Sequence, residues 1–283
     1  MEPLYEEGFL PFPTSVRVEE MSLVDELVAD GVLKSPHIIE AFRAIKREDF
    51  VNEDMRDAAA TVNAPLPIGH GQTISQPWTV AFMLELLEPE GGQRVLDIGA
   101  GSGWTTALLA HIVSKKGMSK SPVSTRSPRL RVGAGRRGEA GKIQMPNKVQ
   151  NPNDQNESQG KPLDAARGKV YAMERVEELC VFGKANVAKY GFIGQGVVEW
   201  RCADATGGLP EHAPFDRIIA AASARELPAA WREQCAVGGV IVAPIRSSIW
   251  RFRKRADDQW DEEEHPGFAF VPFVSNGTEE KNI

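Results

Sequence analysis

Apolar positions along this chain fall into two rhythms, one helical and one of strands. Leu23, Val24, Leu27 and Val28 follow Ser22, a good helix cap, and Gly31 offers a stop. A second helix starts at Ser35-Pro36, a cap followed by a proline in the first turn, with Ile38, Ile39, Ala41, Phe42 and Ile45 on its apolar face. Prolines, glycines and small polar residues fill 65–77, which predicts a loop. A third helix follows, with Trp78, Val80, Ala81, Met83, Leu84, Leu86 and Leu87 as its apolar residues and Ser75 as its cap. Residues 95–98 read as a short buried strand, then a glycine turn, then a helix to Val113. Strands over 169–173, 196–202, 215–220 and 240–245 alternate with helices over 176–190 and 228–235. That alternation predicts an α/β fold with a mostly parallel sheet and a small helical N-terminal extension. Residues 249–254 alternate with period two, as an exposed or edge strand does, Asp257-Asp258 reads as a turn, and 268–274 as the last strand.

The middle of the chain breaks this pattern. Residues 114–168 carry twelve basic and four acidic side chains, a net of +8, while the whole chain is at -6, so the remainder carries -14. With few apolar residues and no periodicity, this segment cannot offset its ordering entropy. It predicts a largely disordered insertion: a solvated loop, a basic arm touching nucleic acid or an acidic partner, or a stretch with no selected role. The expected division is 1–65 as N-terminal arm and helices, 66–113 with 169–275 as the main domain, 114–168 as insertion and 276–283 as tail. At 283 residues and 42% hydrophobic content, one sizeable core is expected. The acidic balance gives the protein as a whole no electrostatic reason to bind nucleic acid. Cys180, Cys202 and Cys235 show no paired spacing and read as reduced core thiols, not metal ligands. No apolar run reaches membrane length, and the N-terminus lacks a signal-peptide pattern, so a cytoplasmic location is expected.

The candidate chemistry begins at Asp97-Ile98-Gly99-Ala100-Gly101-Ser102-Gly103. Three glycines at alternate positions let backbone turn tightly and approach a bound group. The spacing is G-x-G-x-G, not that of the dinucleotide fingerprint. Asp97 would repel a pyrophosphate and suit a sulfonium or ammonium group. The plainer alternative is an ordinary strand-to-helix connection. Acid followed by this glycine turn resembles motif I of Rossmann-like methyltransferases, which bind S-adenosyl-L-methionine. In nucleotide-binding α/β domains an acid ends the second strand and takes the ribose hydroxyls, about 20 residues past the turn. Glu174 ends the next strand here and reaches that spacing once 114–168 is set aside; capping the following helix is its other reading.

Leu66-Pro67-Ile68-Gly69 with Gln72-Thr73-Ile74-Ser75-Gln76-Pro77 resembles the signature loop of the protein-L-isoaspartate O-methyltransferases. Arg47-Glu48-Asp49-Phe50-Val51 resembles that family too. The resemblance implies a class I S-adenosyl-L-methionine-dependent fold, with an antiparallel C-terminal strand, and methylation of the α-carboxyl of L-isoaspartyl residues, D-aspartyl less readily. The ester would then collapse to a succinimide. It implies cofactor contacts at Gln72, Thr73, Ile74, Asp97, Gly99, Gly101, Ser102, Gly103, Glu174, Arg175, Asp204 and Ala205. His70 and Ser75 would bind substrate, with Ser75 the catalytic residue and amides near 74–77 assisting. The adenine corner of the family reads Gly-Asp-Gly, where this chain has Ala203-Asp204-Ala205. Proteins or peptides carrying isoaspartate are the expected partners, for a monomer needing no metal. The alternatives are a related methyltransferase acting on RNA and a non-catalytic cofactor-binding homologue.

Overall fold

The computed structural model describes residues 21–115, 168–256 and 259–272. The expected N-terminal arm, the insertion from 116 to 167, the turn at Asp257-Asp258 and the tail beyond 275 lie outside the described residues.

Two helices lead in, α1 (Leu23–Ala29) and α2 (Pro36–Ala44). Ser22 caps α1 by accepting the amide of Asp25 at 3.2 Å. Ser35 does not cap α2 with its side chain; its hydroxyl and amide, with the amide of Lys34, all go to Glu85. A short helix, α3 (Arg56–Thr61), precedes the stretch expected as loop. That stretch contains an antiparallel hairpin, β1 (Leu66–Gly69) with β2 (Gln72–Ile74), which corrects the loop reading. Its strands are three and four residues long, and Pro67 and Gly69 hide the period. Helix α4 (Pro77–Leu87) has Gln76, not Ser75, at its N-cap.

Then come β3 (Arg94–Ile98), α5 (Trp104–Val113), β4 (Lys169–Glu174), α6 (Glu177–Ala188), β5 (Val198–Cys202), β6 (Phe215–Ala220), α7 (Ala229–Gln234), β7 (Cys235–Ile245), β8 (Ser248–Ala256) and β9 (Gln259–Pro266). One seven-stranded sheet runs β5-β4-β3-β6-β7-β8-β9. The first five strands are mutually parallel; β7–β8 and β8–β9 are antiparallel. Alternate side chains divide the core. Val95, Val170, Ala172, Val240 and Val242 pack with α1, α2, α4, α5 and α6. Leu96, Ile98, Met173, Ile218 and Ile241 pack on the other face with Trp231 of α7. Helix α5 is apolar nearly all round because it is enclosed, with eight of its ten residues buried.

Two strand expectations are corrected. Strand β8 is not an edge: it is paired on both sides. Period two marked its two unlike faces, not its position. Arg251 and Arg253 pair with Glu88 at 2.5 and 2.7 Å, and Arg251 also faces Glu263 across the strand pair at 3.5 Å. The edge is β9, whose acidic run carries no strand signature of its own. Residues 268–272 form no strand of the sheet; they cross as an extended segment, tied by the Ser223 amide to the Val271 carbonyl at 2.9 Å.

Candidate active site

A cavity of about 900 Å³ opens at the carboxyl ends of the parallel strands. The chain moves outward from β3 to β4 and β5, then returns to place β6 on the other side of β3. Such a switch point is where open α/β sheets bind ligands. Gly99, Ala100, Gly101 and Ser102 line the cavity, with Ala221 and Ala222 from the small-residue turn after β6.

The three turn glycines differ in function. All have positive φ, at 74°, 52° and 86° for Gly99, Gly101 and Gly103. A Cβ on Gly99 would meet nothing within 4 Å, whereas one on Gly103 would come within 2.8 Å of the Gly183 carbonyl oxygen in α6. Gly103 therefore serves close packing, and Gly99 leaves space at the cavity wall. The turn is moored to β4: the amides of Gly99 and Ala100 donate to the Met173 carbonyl, and that of Gly101 to Glu174 Oε2 at 2.8 Å.

Glu174 lines the cavity, as does Arg175. Its other oxygen accepts the amides of Arg175 and Val176 at 2.8 and 2.9 Å, so it also organises the start of α6. A carboxylate offers about four acceptor sites, which leaves capacity for one more donor. Asp97 and Asp204 do not stand in the cavity wall. Asp97 is buried, and its Oδ2 accepts the Thr106 hydroxyl at 2.5 Å while Oδ1 has no partner. Burial pushes its carboxyl up to about 7, against the Thr106 hydrogen bond and with the help of the Glu174 charge. Asp97 thus lies beneath the turn, with Oδ1 unpartnered among the described residues. Asp204 Oδ1 accepts the amide and hydroxyl of Thr206 at 2.8 and 2.6 Å. Ala203 and Ala205 form the wall at that corner instead.

The hairpin supplies the opposite side. His70, Gln72, Thr73, Ile74 and Ser75 all line the cavity. His70 holds φ at 53°, and its Nδ1 lies 3.9 Å from Glu178. The half-buried Ser75 hydroxyl has no hydrogen-bond partner among the described residues. Its expected capping role is corrected. Asn63 Oδ1 accepts the Trp78 amide at 3.0 Å, Pro77 has no N–H, and α4 offers no free donor at either place. The Ser75 carbonyl accepts a hydrogen bond from Arg47 Nη2 at 3.2 Å.

The sequence reading missed Ala269, Phe270, Val271 and Pro272, which close the remaining side. Phe268 anchors them by stacking on Phe82 at 5.5 Å. The alternating aromatics of 268–270 were the available signal. The sequence reading also missed Trp104, at the start of α5.

The chain matches the family described as protein-L-isoaspartate(D-aspartate) O-methyltransferase over residues 18–137 and 163–278. A protein-L-isoaspartate O-methyltransferase of Methanopyrus kandleri is 33% identical over 89% of each chain. One from Staphylothermus marinus is 36% identical over 80% of this chain and 79% of its own. This chain belongs to the protein-L-isoaspartate(D-aspartate) O-methyltransferase family. A Plasmodium falciparum protein solved in complex with S-adenosyl-L-homocysteine has the same fold, with a TM-score of 0.65 at 18% identity over 89% of this chain and 97% of its own.

Two further features bear on a member of this methyltransferase family. Among the described residues, no group of three or more His, Cys, Asp or Glu could hold a metal ion, and no helix is long and apolar enough to cross a membrane. Cys180 and Cys202 form a disulfide, which corrects their reading as free thiols; Cys235 is a buried free thiol. Spacing along the chain could not reveal a pair made between α6 and the end of β5.

Proposed function

We propose that this chain uses S-adenosyl-L-methionine to methylate the α-carboxyl of L-isoaspartyl residues in proteins or peptides, and of D-aspartyl residues less readily. The observation that carries the reading is that the glycine turn and the unpartnered Ser75 hydroxyl face one cavity. The residues fit the cofactor. Gly99 leaves room where a side chain would fill the wall, Glu174 keeps an acceptor for a ribose hydroxyl, Ser102, Arg175 and Ala205 complete that side, and Gln72, Thr73 and Ile74 face it from the hairpin. When bound, the cofactor supplies an electrophilic methyl on a sulfonium.

The substrate carboxyl has a pKa of about 4 and is already ionised at neutral pH, so no residue has to remove a proton. His70 therefore serves the substrate side of the cavity rather than acting as a base. The Ser75 hydroxyl donates to the carboxylate, with the amides of Ser75 and Gln76 beside it. What remains is alignment and exclusion of water, which the hairpin and residues 269–272 provide. The resulting ester closes to a succinimide, whose hydrolysis returns part of the material to normal aspartate.

The test is transfer of labelled methyl to an isoaspartyl peptide, its aspartyl twin and tRNA. Label in the isoaspartyl peptide alone is expected. Label in tRNA alone would assign the site to RNA, and cofactor binding without transfer to any of the three would make the chain a binding protein. We further propose that it acts as a monomer, to be checked by light scattering, and in the cytoplasm, to be checked by fractionation.

A further inference from the structure

Arg47 has no place in the chemistry above, yet it is a buried cation. It is 4% exposed, and it takes part in no ion pair among the described residues. An unpaired buried cation is strongly unfavourable unless dipoles replace its water. Here four carbonyls do so for the two Nη groups, while Nε has no partner among the described residues. Nη1 donates to Ala59 and Val62 at 3.4 and 3.0 Å, and Nη2 to Ala64 and Ser75 at 2.6 and 3.2 Å. The guanidinium carbon also lies 5.6 Å from the centroid of the Trp104 ring, a cation–π contact. Burial lowers the guanidinium to about 10, so it remains charged at neutral pH.

These contacts join three segments, two of which, at Ser75 and Trp104, line the cavity. Ala59, Val62 and Ala64 lie on the segment that enters the hairpin. Ser75 lies where the hairpin ends. Trp104 begins the helix after the glycine turn. Other hydrogen bonds hold the same segment: Asn63 takes the Trp78 amide, and its carbonyl accepts from Gln76 Nε2 at 3.1 Å. Both ends of the hairpin are thus fastened, and the Arg47 contacts tie the Ser75 peptide to Trp104 at the start of α5.

We propose that Arg47 is a positioning residue, which fixes the Ser75 peptide against the start of α5 and so sets where the substrate carboxylate is held. The proposal rests on the reading that Ser75 receives that carboxylate. The planar guanidinium with its two Nη groups is required, because an ammonium cannot reach four carbonyls in this geometry. A purely structural arginine would lower stability and weaken both ligands together. A positioning arginine acts through Ser75 and on the peptide alone.

The experiment is a double-mutant cycle between Arg47 and Ser75, measured on the full chain with Arg47→Lys, Ser75→Ala and the double variant. KM and kcat for an isoaspartyl peptide are read beside the Kd for S-adenosyl-L-homocysteine. Arg47→Lys is expected to raise peptide KM about tenfold, the scale of one charge-assisted hydrogen bond, with the Kd unchanged within about twofold. In the Ser75→Ala background the same substitution should change KM by less than about threefold, since coupled residues are not additive. An equal effect of Arg47→Lys in both backgrounds would overturn the proposal, as would a larger shift in the Kd than in KM. If Arg47→Lys does not fold, Arg47→Gln takes its place, and failure of both to fold would make the residue structural and overturn it too. Wild-type transfer to the isoaspartyl peptide is scored separately, so failure of the functional reading is distinguishable from failure here.

Discussion

The amide of Gly168 donates to the carbonyl of Val113 at 3.1 Å. The same carbonyl accepts the Gly92 amide at 2.9 Å. The last turn of α5 and the approach to β4 therefore meet at one point, although more than fifty residues separate them. No side chain fits at Gly168, where a Cβ would lie 2.6 Å from the carbonyl oxygens of Gln93 and Val113. Replacing residues 116–167 by a short glycine-serine linker should leave the fold intact, with a melting temperature within a few degrees of the full chain. Circular dichroism checks this; an unfolded product would show that the insertion is needed to close the domain.

The Asp97 carboxyl stands at about 7 in the folded protein against 3.8 without the fold, chiefly through burial. The native state then holds more protons than the unfolded chain between these values. Stability accordingly falls as pH rises through that window, by up to about 4 kcal/mol. Asp97→Asn keeps an acceptor for Thr106 and removes the titration. The variant should melt above wild type at pH 8, and the gap should close towards pH 5. A gap that does not change with pH would show that Asp97 is not the titrating group.

The positive φ of Gly99 and Gly103 conceals two separate demands. Gly103→Ala would press a methyl against the Gly183 carbonyl and Val187, so thermal stability should fall by about 2 kcal/mol or more. Gly99→Ala meets open space and carries mainly the left-handed backbone cost of about 1–2 kcal/mol. It should lose affinity for S-adenosyl-L-homocysteine more than Gly103→Ala does. Melting curves and calorimetric titration of both variants check this, and the reverse order of affinity loss would contradict it.

The Cys180–Cys202 bridge closes a separation of 22 residues, a loop for which constraint of the unfolded chain contributes about 3 kcal/mol. Thiol titration of the denatured, unreduced protein should count Cys235 alone, and reduction should lower the melting temperature by several degrees. Three thiols before reduction would remove the bridge from the account.

Local signals were the legible ones. Ser22 caps, Gly103 turns and the apolar strands carry their own markers, and each acts over a few residues. Contacts made across the fold left no such mark. In acidic β9, Glu263 and Asp261 answer Arg251 and Arg255 of β8, so its composition makes sense only beside its neighbour. Asp97 and Asp204 were expected to face a ligand because of where they sit on their strands. Each also accepts a threonine hydroxyl, from Thr106 and Thr206, and nothing in the motif announces those hydroxyls. Ser75 was placed in the site by its loop, but the cap it was expected to form went to Gln76, because Pro77 sets the first turn one residue later. Arg47 was visible only as part of a resemblance, since a charged residue in a polar run gives no sign of burial.

In the proposed transfer the glycine turn holds the methyl donor and Ser75 the acceptor, on two sides of one cavity. A crystal structure with S-adenosyl-L-homocysteine tests it most directly. The ribose is expected at Glu174 and the sulfur turned towards the Ser75 hydroxyl, with open space between them for a carboxylate. A sulfur directed away from Ser75, or a ligand seated away from Gly99 and Glu174, would contradict it.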